Sequence, residues 1–155
     1  MEKLNVKKAI VSKQGEKSSN YMQFLKIAKK KNVKIVVVQA GDVIAIDEKC
    51  SLSILFPEKD LIHTNILNNN SIVAKFMYQQ ETAKQFSLLL TGDVEEIAEE
   101  KLCEMYLGTG KLQADILKVA HHRFKNIFYN TVFRIGKAKD CTSWSWREKY
   151  FWTSK

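Results

Sequence analysis

The sequence predicts an α+β fold, a layered sheet with a few helices packed on its faces. Short segments of alternating or β-branched apolar residues recur from Ala9 to Ala120. Two other stretches, after Ser18 and after Asp93, carry apolar residues at helical spacing instead. The 155 residues suit a single domain with a real core, and six glycines and one proline exclude a low-complexity polymer.

In chain order, Ala9-Ile10-Val11-Ser12 reads as a short buried strand, followed by the polar turn KQGEK. Ser18 or Ser19 can cap a helix running to about Lys31, with Tyr21, Leu25 and Ala28 on one face. Lys26, Lys29, Lys30 and Lys31 load its last turns, where positive charge complements the helix dipole, and Asn32 ends it. Val33 to Val38 is a β-branched strand, and GDVIAID at 41–47 alternates as another. Ser51 to Phe56 alternates again and stops at Pro57. Residues 57–70, PEKDLIHTNILNNN, are expected to form a polar loop. Ser71 to Tyr78 and Phe86 to Leu90 then predict a hairpin across QQETAKQ. Val94, Ile97, Ala98, Leu102 and Met105 predict the second helix, with glutamates 95, 96, 99, 100 and 104 mostly outward. The loop GTGK at 108–111 lacks the preceding strand, full spacing and following helix of a phosphate-binding loop, and leads instead to a strand at 115–120. No internal repeat is present.

Net charge is +8, yet residues 1–122 hold 17 basic and 15 acidic side chains, whereas residues 123–155 hold 8 and 2. All three tryptophans also fall in that tail, within SWSWREKYFW. A basic aromatic tail of this kind can stack on bases and contact phosphates, which makes a nucleic-acid-binding module one reading of the chain. Cys50, Cys103 and Cys141 are odd in number and lack CxxC spacing, so reduced thiols are expected. The apolar runs are too short to span a bilayer and no apolar h-region opens the sequence, which points to a soluble chain and leaves its location open.

Three places could carry chemistry. In LLLTGD at 88–93 a strand ends in Thr91-Gly92-Asp93 and a helix begins at once. Asp93 is either that helix's N-cap or a metal-ligating carboxylate, with Gly92 permitting close backbone approach. In KVAHH at 118–122 a strand runs into His121 and His122, and neutral imidazole is a common transition-metal ligand. The run Asn68-Asn69-Asn70-Ser71 either makes a tight loop or supplies side chains that orient a phosphate or brace a metal ligand. His63, alone in a polar loop, reads as a structural residue.

In their order, NNNSIV at 68–73, LLLTGDVEEIAEE at 88–100 and ADILKVAHH at 114–122 resemble the metallo-β-lactamase-fold hydrolase domain of ComEC-type competence (DNA-uptake) proteins. The earlier stretches NYMQFLKIAKKK and VKIVVVQAGD agree, so the resemblance covers about residues 5–122. It implies the C-terminal portion of a partial metallo-β-lactamase αβ/βα sandwich over 1–122. Asp93, His121 and His122 would be metal ligands, and Asn69, Asn70 and Ser71 would brace that edge. It further implies zinc or manganese as cofactor, DNA or another phosphodiester as substrate, and a parent protein associated with a membrane or exported.

The family's His-x-His-x-Asp-His cluster is absent, and His63 is the sole histidine before 121. The expectation is therefore an N-terminally truncated domain, inactive as an isolated chain, with exposed apolar sheet surface, an unpaired edge and room for a complementary upstream fragment. After His122 the family continues G-S-K-T-S, where this chain reads RFKNIFYNTVFRIGKAKDCTSWSWREKYFWTSK. Back-translation read one base later permits G-S-K-T-S-S-I there. Residues 123–155 are accordingly expected to be an irregular, frameshift-derived tail, which the nucleotide sequence of the gene tests directly.

Overall fold

The computed structural model describes residues 4–14, 18–79, 81, 85–120 and, as backbone, 140–142. The chain opens with β1 (Lys8–Ser12), α1 (Ser19–Lys30) and β2 (Lys34–Val38). β1 and β2 pair in parallel, Lys8 opposite Lys34 through Ser12 opposite Val38, with α1 as the crossover. Ser18 caps α1 as its sequence position requires, its Oγ accepting from the Tyr21 amide at 3.2 Å. Tyr21 stacks on Phe24 with ring centroids 5.8 Å apart, and Ala28 is fully buried.

The main sheet is built from β3 (Val43–Ala45), β4 (Cys50–Phe56), β5 (Val73–Gln79), β6 (Gln85–Leu90), β7 (Ile116–Lys118) and β8 (Asp140–Thr142), paired in that order. β3 to β6 alternate in direction, whereas β6, β7 and β8 run parallel. The expected hairpin is thus present as β5 and β6, and most of its turn lies outside the described residues. β3 is shorter than the alternation at 41–47 predicted, because Asp42 and Asp47 are spent on turns. Asp42 accepts from the Gln39 amide, and Asp47 accepts from the amides of Lys49 and Cys50.

Helix α3 (Glu96–Tyr106) covers one face of the sheet. Its Val94 approach, Ala98 and Leu102 join Leu55, Phe56, Val73, Leu89 and Leu117 in one buried cluster. The opposite face carries Ile54 and Ala74, which with Val38 form a second, smaller cluster against Ile10 and Val36 of the β1–β2 layer. A one-residue irregularity in β4 serves both layers. Ile54 pairs with Ala74 but Phe56 with Val73, so Leu55 is the extra residue and both Leu55 and Phe56 reach the α3 side.

One expectation needs correction. The loop 57–70 contains a short helix, α2 (Ile66–Asn69), because the asparagines at its end fold it back on itself. Of the tail only residues 140–142 are described, and there β8 pairs with β7 from Ile116 opposite Asp140 to Lys118 opposite Thr142. Pairing at an open edge uses backbone N–H and C=O groups alone, so it does not require a side-chain pattern readable in the sequence. Val43 on the outermost strand β3 is 67% exposed and Val37 on β2 is 58% exposed.

Candidate functional site

The site is built where β6 and β7 end. Their parallel register sets Leu90 opposite Lys118, so both strands leave the sheet at the same end. The two exits are stitched together: the buried Thr91 donates its hydroxyl to the Lys118 carbonyl at 2.7 Å, and Lys118 Nζ donates to the Gly92 carbonyl at 3.3 Å. Gly92 has φ +59°, and a Cβ there would stand 2.7 Å from the Ser71 Cβ and 3.1 Å from the Ile72 carbonyl oxygen. Threonine ties the turn and glycine lets the loop of Ser71 close over it. Asp93 is left exposed at the rim.

Asp93 is not the cap of the following helix. α3 starts at Glu96, and its N-cap is Glu95 in extended backbone. What fixes Glu95 is the asparagine loop. Asn65 and Asn68 donate to Glu95 Oε1 at 2.6 and 3.0 Å, and Asn69 donates to Oε2 at 3.4 Å. In return the Glu95 amide donates to Asn69 Oδ1 at 3.1 Å. Asn69 also donates to the Thr64 carbonyl at 2.9 Å. Asn70, wholly buried, accepts from the Ile62 amide and donates to the carbonyls of Ile62 and Ile66, each at 2.8 Å.

Asn69 and Asn70 thus spend their amides inside the protein, holding the loop against the start of α3, while Ser71 abuts Gly92. The left-handed residue of the loop is Asn65, φ 40°, and not one of the run at 68–70. Sequence reasoning missed the Asn65–Glu95 contact by counting Glu95 among outward glutamates. The signal available was its place on the threshold of a helix that lacks a Ser, Thr, Asp or Asn cap.

His121 and His122 lie outside the described residues. The preceding segment is described to its end: Lys118 and Val119 lead to Ala120, which is 5% exposed and packed in the α3-side cluster. His63 is exposed in the loop before α2. Among the described residues no group of three or more His, Cys, Asp or Glu could hold a metal ion. Cys50 and Cys103 are each partly buried.

At the other end of the sheet a shallow depression is lined by Asp47, Lys49, Cys50, Met77, Tyr78 and Gln85, among others. Burial and the neighbouring Asp47 carboxylate both push the Cys50 thiol up, away from thiolate reactivity. Among the described residues, no helix is long and apolar enough to cross a membrane. No family model, curated protein or solved structure matches this chain.

Proposed function

We propose that residues 1–122 represent the C-terminal portion of a metallo-β-lactamase-type αβ/βα sandwich from a metal-dependent hydrolase of the ComEC kind. Its substrate class is DNA or another phosphodiester. The observation that carries this reading is the parallel pairing of β6 and β7, which sends Thr91-Gly92-Asp93 and Lys118-Val119-Ala120 off the same end of the sheet. Asp93 would supply a carboxylate there and His121 or His122 an imidazole, with Asn69, Asn70 and Ser71 as positioning residues. Zinc or manganese, when bound, would polarise a phosphoryl oxygen.

One carboxylate and two imidazoles fall short of the four or more donors such a centre takes, and Glu95 is already engaged by asparagine amides. The donor set therefore does not fit a complete hydrolytic centre, and the chain by itself is expected to bind a divalent ion weakly and to leave phosphodiesters uncleaved. Equilibrium binding of Zn²⁺ or Mn²⁺ to the full chain, to Asp93→Ala and to His121→Ala/His122→Ala tests the ligand assignment. Losing a ligand should cost at least the ~10–100-fold that supporting groups cost. Equal affinity in all three proteins would remove the metal from this rim.

A further inference from the structure

The near-balance of charge over residues 1–122 conceals a strong segregation in space. The described residues between 4 and 41 include eight exposed lysines and no Asp or Glu, whereas α3 and its approach carry Asp93 and five glutamates. The β1–α1–β2 connection then gathers much of the positive charge at one end. Because β1 and β2 are parallel, Lys7, Lys8 and Lys34 sit together, with the Lys34 amide donating to the Lys7 carbonyl at 3.1 Å. Helix α1 must deliver its C-terminal turns to the same place to enter β2, which brings Lys26, Lys29 and Lys30 to that end.

Two repulsions are built in. Lys8 stands directly opposite Lys34 across the ladder, and Lys26 and Lys30 are one helical turn apart. The helix dipole favours Lys29 and Lys30 but does nothing for Lys8 or Lys34. The ion pairs Lys49–Glu81 and Lys101–Glu58 involve none of these six lysines.

This end is distinct from the Asp93 rim. The other ends of β1 and β2 face the loops beside that rim, through the Ala40 amide to the Pro57 carbonyl at 2.7 Å and the Gln14 side chain to the Leu67 carbonyl at 2.8 Å. The lysines begin four residues back along the strands, roughly 13 Å away. Tyr21, Phe24 and Leu25 of α1 are partly buried, so the helix does not offer a free apolar stripe for insertion among lipid chains. The first arginine of the sequence is Arg123, and the described residues contain none. The contacts available are therefore ammonium point charges, suited to phosphates and not to base edges.

We propose that the lysine end of the β1–α1–β2 unit is a docking surface for the phosphate backbone of nucleic acid, indifferent to base sequence. It is independent of the metal-site reading, and the test is run in EDTA so that the two fail separately. Anisotropy of a fluorescent duplex of about 20 base pairs is titrated with the full chain between about 50 and 200 mM salt. Lys26→Glu/Lys30→Glu and Lys8→Gln/Lys34→Gln should each weaken binding about tenfold or more and lower the salt slope by about 2. Circular dichroism checks that each variant keeps its fold, and the two variants perturb different elements. The proposal is overturned by an unchanged slope in both, by loss of binding confined to the tail variant Lys137→Glu/Lys139→Glu, by preference for phosphatidylserine vesicles over the duplex, or by absence of duplex binding.

Discussion

Replacing Gly92 by alanine tests the construction of the rim more directly than replacing Asp93. The new methyl would occupy backbone at φ +59°, a conformation that costs an L-residue about 1–2 kcal/mol. It would also stand 2.7 Å from the Ser71 Cβ, against an optimal carbon separation of about 3.5–4.0 Å. Ser71 must therefore retreat by roughly 1 Å, an overpacking that costs about 1–3 kcal/mol. The sum is about 3 kcal/mol, or a midpoint lowered by about 6–12 °C for a chain of this size. Gly108→Ala supplies the control, because Gly108 has φ +72° and a Cβ there would meet nothing within 4 Å. It should cost about 1–2 kcal/mol by backbone conformation alone. Urea unfolding of both variants, with Ser71→Gly added to each in a double-mutant cycle, separates contact from conformation. A Gly92→Ala variant no less stable than Gly108→Ala would refute the close approach of the two segments.

Asn69→Ala should cost about 2–3 kcal/mol in urea unfolding, because it strands the Glu95 amide and the Thr64 carbonyl at once; a loss below about 0.5 kcal/mol would show that the loop is not held by this side chain. Lys75, half-buried in β5, is held below its ordinary ammonium range by burial, and the Asp115 carboxylate opposes this only in part. The folded state thus binds fewer protons than the unfolded chain between the lowered and the ordinary value, so stability rises with pH through that window and the cost stands in full at neutral pH. Lys75→Met should accordingly melt higher than the parent at pH 7, with the gap closing toward about pH 10; a variant that melts lower at pH 7 would show that attraction to Asp115 outweighs burial.

Much of this architecture was legible because strand and helix periods differ. The segments around Ala9–Ser12, Ser51–Phe56 and Phe86–Leu90 emerged as strands, and Ser18 capped its helix, since each depends on local pattern. The glycine of Thr91-Gly92-Asp93 also announced a close approach, though not that Ser71 would be the neighbour. What was not legible depends on pairs far apart in sequence. Glu95 looks like one more of a run of mostly outward glutamates until Asn65, Asn68 and Asn69 fold onto it, and Glu99 of the same run is buried. The lysine end looks balanced until the parallel register sets Lys8 beside Lys34. Composition summed along the chain is blind to both.

The division of the interior into two unequal clusters bears on how the protein comes apart. Residues 8–38 return to the main sheet through Val38, Ile54 and Ala74, a few partly buried neighbours and a handful of loop hydrogen bonds, whereas α3 is secured by the larger cluster. Such an arrangement favours sub-global opening, in which the first crossover unit detaches as one cooperative piece while β4 to β7 persist. Amide hydrogens of β1 and β2 should then exchange together and ahead of those in β5 and β6, giving the molecule a weak seam along its thinner layer.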